Sequence, residues 1–242
     1  MLYVLDGDND LREAASMDLV ELDRTGAPEI ANIVAQLHRG ELSWTVKNLP
    51  KKLSGLFSPK LPPAVNPDWR GVRVFDVQHD GPTVVVDKAP KSTSPSDPKS
   101  LENFVAWGMK EYPAENYAVV LGGHGSEKGL LSDSKGEVMP FEKVSESLQR
   151  AAERAGEDID VVLFDSCSTA SPETAEKMRG ATDFLVATPF KTRGHGWSEK
   201  ATMNFLKENP QATPLDLTQS FLSSDHTSVK SAVYYDLRAF RE

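Results

Sequence analysis

Residues 161–173 read VVLFDSCSTASPE. Val161, Val162, Leu163 and Phe164 form an apolar run without alternation, which predicts a strand covered on both faces, as in the interior of a parallel sheet. Ser171-Pro172-Glu173 then reads as a helix start, a serine cap followed by proline in the first turn. Between the two stand Asp165, Ser166 and Cys167, the only cysteine in 242 residues. Open α/β sheets build their sites where a strand delivers a reactive side chain into the turn at its C-terminal end.

The same rhythm runs outward in both directions. Short apolar runs predict strands at 2–5, 31–37, 72–77, 117–122, 159–164, 184–187 and 231–235. Asp97-Pro98 opens a helix whose Leu101, Phe104, Val105 and Met109 fall on one stripe and which ends before Pro113. Phe141, Val144, Leu148, Ala151 and Ala155 mark a second helix, stopped at Gly156; a third runs from Ser171 to Gly180. This order predicts an α/β fold, a mostly parallel central sheet with helices on both faces, in one domain over 1–242. Two stretches break it. Residues 42–70 carry Pro50, Pro59, Pro62, Pro63 and Pro67 among lysines, and 88–98 are rich in Lys, Pro and Ser; both read as surface excursions.

A net charge of −9 argues against nucleic acid or an anionic membrane as the partner. No apolar run approaches the roughly 20 residues a bilayer crossing needs. One cysteine excludes an internal disulfide framework, and Met1 to Asp8 carry no basic or long apolar leader, so a reducing, cytoplasmic location is expected.

A second strand ends in chemistry. Val119-Val120-Leu121-Gly122-Gly123-His124-Gly125 places a histidine among glycines, one helix before Cys167. A free thiol titrates near about 8.5, so little of it is thiolate at neutral pH. A histidine alongside takes its proton and later protonates a leaving amine. The glycines let backbone approach a substrate carbonyl, and an N–H beside His124 together with the Cys167 N–H makes an oxyanion hole. Taken singly, a lone cysteine at a strand end is a small core residue, and a lone histidine is structural. Their conjunction points to a nucleophile and base.

The chain resembles the clostripain family of cysteine peptidases, relatives of caspases, legumains and gingipains. The likeness lies in DGDNDLREAASMDLVELDRTG followed by ANIVAQLHR, in LENFVAWGMKEYPAENYAVVLGGHGS, in DIDVVLFDSCSTASPETAEKMRGATDFLVAT, and in GHGWS and SAVYYDL, in family order. It implies a caspase-like fold, with His124 as general base, Cys167 as nucleophile and the Gly125 and Cys167 amides as oxyanion hole. Asp165 matches the acidic floor of the pocket that makes the family cut after Arg or Lys; by its position alone it reads equally as a turn cap. Thr188 and Trp197 fall at cleft-wall positions, Trp197 also suiting a core, and His195 is a rival base. The substrate implied is a protein or peptide with a basic residue at the cleavage site. The resemblance also implies calcium stimulation, with no ligands identified, and self-processing, with Lys128, Lys135 and Lys143 as candidates. Asp6, Asp8 and Asp10 alternate as in a calcium loop but lack its later Glu, and read better as a strand-end turn. No organic cofactor is implied.

A rival reading is a catalytically silent or partner-activated member, because the chain stops soon after the 231–235 strand. Other chemistries fit worse. No Arg follows Cys167 closely as in a phosphatase, no Gly-x-Ser-x-Gly elbow exists, and thiols and histidines are too few for zinc.

Overall fold

The computed structural model describes residues 1–40, 69–192, 196–223, 229 and 231–240. Residues 41–68, and with them nearly all of the first excursion, lie outside the described residues, as does His195.

The strands, in chain order, are β1 (Leu2–Gly7), β2 (Ile33–Arg39), β3 (Gly71–Val77), β4 (Val84–Val85), β5 (Ala118–Gly122), β6 (Gly125–Ser126), β7 (Gly129–Ser132), β8 (Val138–Met139), β9 (Val161–Asp165), β10 (Phe184–Ala187) and β11 (Val233–Asp236). The helices are α1 (Arg12–Thr25), α2 (Pro98–Glu111), α3 (Phe141–Ala155), α4 (Pro172–Lys177), α5 (Glu199–Glu208) and α6 (Pro214–Ser220). Among the described residues eight strands form one sheet in the order β11-β10-β9-β5-β1-β2-β3-β4, and β6-β7-β8 form a small one. The five central strands are parallel; β11, β3 and β4 join antiparallel toward the edges. The expected mostly parallel sheet is therefore present.

Helices cover both faces, and strand alternation decides which side chain goes where. Leu2 and Val4 of β1, Val119 and Leu121 of β5, and Val162 and Phe164 of β9 pack on one side against α2, α3 and α4. Tyr3, Leu5, Val120, Leu163 and Val186 face α1, α5 and α6 on the other. Phe164 stacks on Phe141 of α3, with ring centroids 5.6 Å apart and planes 23° apart. That contact fastens the end of β9 to the helix before it.

The helix boundaries follow from local chemistry. Asp97 accepts the Lys99 N–H at 3.0 Å ahead of Pro98. Ser171 accepts the Thr174 N–H at 3.0 Å, and α3 ends at left-handed Gly156. The second predicted strand is displaced, running 33–39 instead of 31–37. Ala31 closes a turn onto the Pro28 carbonyl, and pairing with β1 carries the strand on through buried His38 and Arg39. Helices α5 and α6 were not anticipated, although Thr213 and Asp216 form a capping box at the start of α6. The two-residue strands are too short to show a period.

Candidate active site

β5 and β9 are neighbours, and their last residues, Gly122 and Asp165, are paired in register. His124 and Cys167 each lie two residues beyond that pair. The two side chains therefore leave the sheet at equal distances from adjacent strand ends. Both line one cavity of about 170 Å³, together with Asp6, Leu11, Ala14, Ala15, Asp18, Gly122, Gly123, Asp165, Thr192 and Gly196. Its size is that of a side chain, not of a whole ligand.

The loop after the nucleophile position is held on several points. Ser168 takes a left-handed φ of 52°, uncommon for a residue with a side chain, and its N–H donates to the Phe190 carbonyl at 3.0 Å. Thr169 and Ala170 donate to the Thr188 carbonyl at 2.9 and 3.1 Å. Gly125 sits so close beneath this loop that a Cβ there would lie 2.6 Å from the Ser166 Cβ and 2.9 Å from the Cys167 carbonyl oxygen. Only glycine fits, and its backbone is thereby brought beside that of Cys167. Among the described residues the Cys167 N–H has no hydrogen-bond acceptor.

The His124 and Cys167 side chains are each engaged by another group. The His124 ring donates from Nε2 to Asp10 Oδ1, 2.6 Å away, and this bond holds the Asp10 carboxyl below its ordinary range. Cys167 Sγ accepts the Thr192 N–H at 3.3 Å, lies 3.4 Å from the Thr192 hydroxyl, and can donate to the Thr192 carbonyl at 3.7 Å.

Asp165 lines the same cavity. Burial pushes its carboxyl up to about 7, against one opposing bond, from the Trp197 N–H to Oδ1 at 3.3 Å. Gly196 closes over it: a Cβ on that residue would fall 1.9 Å from Oδ1, and its φ is 45°. Around this carboxylate are further buried acids. Burial, and then the charges of neighbouring acids, raise Asp18 of α1 and Glu199 of α5. Burial also pushes Asp6 up to about 8.

Thr188 and Trp197 are placed as follows. The Thr188 hydroxyl donates to the Ser231 carbonyl at 2.5 Å and accepts the Phe190 N–H at 3.2 Å. The Trp197 ring is buried in the core beside α5, its Nε1 donating to the Phe221 carbonyl at 3.0 Å. What Trp197 offers Asp165 is its backbone.

Asp6, Asp8 and Asp10 are each hydrogen-bonded within the chain. Asp6 accepts the Asp8 N–H and the Asn9 side-chain amide, Asp8 accepts Ser134, and Asp10 pairs with His124. Among the described residues no group of three or more His, Cys, Asp or Glu is arranged to hold a metal ion.

Asp10, Thr192 and Asp18 escaped the sequence reading as site residues. The acidic turn was legible, but not that its last member reaches a histidine 114 residues away. Nothing marks Thr192 in Lys191-Thr192.

The family model of the clostripain family matches residues 3–238. No curated protein matches the chain. Among solved structures, the chain is similar to an inactive zymogen C11 protease from Parabacteroides distasonis, with a TM-score of 0.69 and 16% identity over 98% of this chain and 61% of that one. It is also similar to a secreted C11 cysteine protease from Bacteroides thetaiotaomicron in complex with an irreversible peptide inhibitor, at a TM-score of 0.65 and 19% identity over 91% of this chain and 56% of that one. A further structure of a secreted C11 protease from that organism, iotapain, gives 0.67 and 12% over 98% and 65%. At these identities the likeness is one of fold, and the chain spans under two thirds of each structure's length. With a family match that takes in nearly every residue, the chain belongs to the clostripain family.

Proposed function

We propose that the chain is a cysteine endopeptidase that cleaves peptide bonds after Arg or Lys. The observation that carries this reading is the meeting of Cys167, His124 and Asp165 in one side-chain-sized cavity at paired strand ends. His124 takes the Cys167 proton, and the thiolate attacks the scissile carbonyl. The oxygen, now negative, is stabilised by the Cys167 N–H and the Gly125 backbone. The tetrahedral intermediate collapses as His124 gives its proton to the departing amine, leaving a thioester. Water, deprotonated by His124, then releases the acid and restores the thiol. Asp10 orients the imidazole through the bond at Nε2, which leaves Nδ1 for the thiol. Asp165 selects a cationic side chain, bidentate for guanidinium.

Fluorogenic peptides ending in Arg, Lys, Asp or Leu test this, with and without calcium. Arg and Lys peptides are expected to turn over, and Cys167→Ala to reduce the rate by at least about a thousandfold. Equal rates with Leu or Asp, or turnover surviving in Cys167→Ala, would sink it.

A second reading, a member silent until a cut or a partner completes it, is favoured by one observation. Thiol and imidazole bond Thr192 and Asp10 instead of each other. Of the candidate cut sites, Lys128 and Lys135 are exposed in the turns joining β6, β7 and β8. Lys143 lies in α3, paired with Glu146 at 2.8 Å, so it enters a cleft less readily. Turnover that appears only after brief trypsin treatment supports this reading; immediate turnover by intact chain refutes it.

A further inference from the structure

The wall of the cavity opposite in sequence to the two strand ends comes from the first helix. Leu11, Ala14, Ala15 and Asp18 recur at spacings of three and four, so they share one face, and all four line the cavity. Two alanines keep that wall low, and Gly122 and Gly123 do the same on β5. The slot so formed suits an unbranched aliphatic stem, and the helical stripe ends on a carboxylate.

Asp18 is mostly buried, yet among the described residues no group donates a hydrogen bond to it. A carboxylate has room for about four such bonds. Its neighbours in charge, Asp165 and Glu21, repel it, and burial together with those charges raises its pKa. Glu199 differs: it does not line the cavity, and it is hydrogen-bonded to Glu21. Asp165 itself has one oxygen partnered, by the Trp197 N–H. Two acids without sufficient donors among the described residues thus border one cavity, and the missing donors are those a cation supplies.

We propose that Asp18 is a second cation-recognition residue of this cavity, sharing with Asp165 the guanidinium or ammonium group of the bound basic side chain. This rests on the reading above, that the cavity receives the residue before the scissile bond. A guanidinium carries five N–H donors in a rigid plane, more than one carboxylate can take, so the second acid favours Arg over Lys.

The test uses the full chain and two peptides that differ only in Arg or citrulline at the cleavage position. Citrulline keeps the shape and loses the charge. Asp18→Asn is expected to lower the preference for Arg over citrulline about tenfold, the size of one charge-assisted hydrogen bond, chiefly through KM. A preference unchanged by Asp18→Asn, or both peptides slowed equally, overturns the proposal. Binding of agmatine to Cys167→Ala protein, followed by calorimetry, separates failure of this proposal from failure of the peptidase reading. If no peptide turns over but agmatine binds, and Asp18→Asn weakens it about tenfold, Asp18 stands as a cation-binding residue without the chemistry. Agmatine that does not bind, or binds both proteins alike, overturns Asp18 whatever the turnover shows. Thermal melting of Asp18→Asn checks that the variant is folded, and Asp18→Glu, which keeps the charge, is expected to retain a preference for Arg.

Discussion

Two carboxylates, the buried Asp133 and the partly buried Asp165, sit in opposite circumstances. Asp133, in the turn between β7 and β8, accepts the N–H groups of Lys135 and Glu137 at 2.9 and 3.0 Å and the hydroxyls of Ser94 and Ser96 at 3.2 and 3.3 Å. Burial pushes its carboxyl up, but those bonds outweigh it and hold the group below its ordinary value. Asp165 accepts one long bond, and burial pushes it to about 7. The fold can saturate a buried acid where that acid serves the fold. At Asp165, among the described residues, it does not.

The largest break in this comparison is expected from Asp165→Asn. It should lower kcat/KM for Arg peptides about a hundredfold, the weight of a bidentate charged pair, while the melting temperature holds or rises because an underpartnered acid is gone. A fall in stability with specificity intact would make Asp165 a second Asp133.

Asp133→Ala should act the other way. It strands two backbone N–H groups and two hydroxyls, at an expected cost of about 2–3 kcal/mol in urea unfolding, with substrate preference unaltered. A loss below about 0.5 kcal/mol would show that water replaces the carboxylate freely.

Smallest in scale, and sharpest in sign, is the pH dependence of stability. Between 3.8 and about 7 the folded chain keeps an Asp165 proton that the unfolded chain has released. The associated stability is full below that range and lost as pH rises through it. Asp133 does the reverse: its stability is present above 3.8 and lost as pH falls below it. In a Cys167→Ala background, urea unfolding from pH 3 to 8 should lose one proton's share of its neutral slope with Asp165→Asn, while Asp6, Asp18 and Glu199 keep theirs. It should lose one proton's share of its acid slope with Asp133→Asn, while Asp10 keeps its own. Each share is bounded by about 1.4 kcal/mol per pH unit, the limit for one proton. Slopes of the same sign for both residues would end the comparison.

What could be read from sequence was whatever a single element carries. The apolar runs of β5 and β9 placed those strands within two residues, and Asp97, Ser171 and Gly156 marked helix ends because capping is local. That His124 and Cys167 would line one cavity was also legible, since one crossover separates the two strands they follow. Asp10 and Asp18 were not, because each meaning depends on which face of α1 turns toward β5 and β9. Thr192 was hidden for the same reason: its N–H and hydroxyl matter only because a loop returns to the thiol. Trp197 shows a subtler limit. Its position bears on Asp165, but through an N–H that every residue except proline has.

Thr188 acts as a joint. One residue ties three segments: its carbonyl takes the two N–H groups after Ser168, its hydroxyl accepts Phe190, and the same hydroxyl reaches the Ser231 carbonyl just before β11. β11 is the antiparallel edge of the large sheet. The turn that carries Cys167 is thus geared to the edge strand through Thr188, alongside the β10–β11 ladder. Load applied at that edge by a pairing strand has a short hydrogen-bonded route to this turn through one threonine.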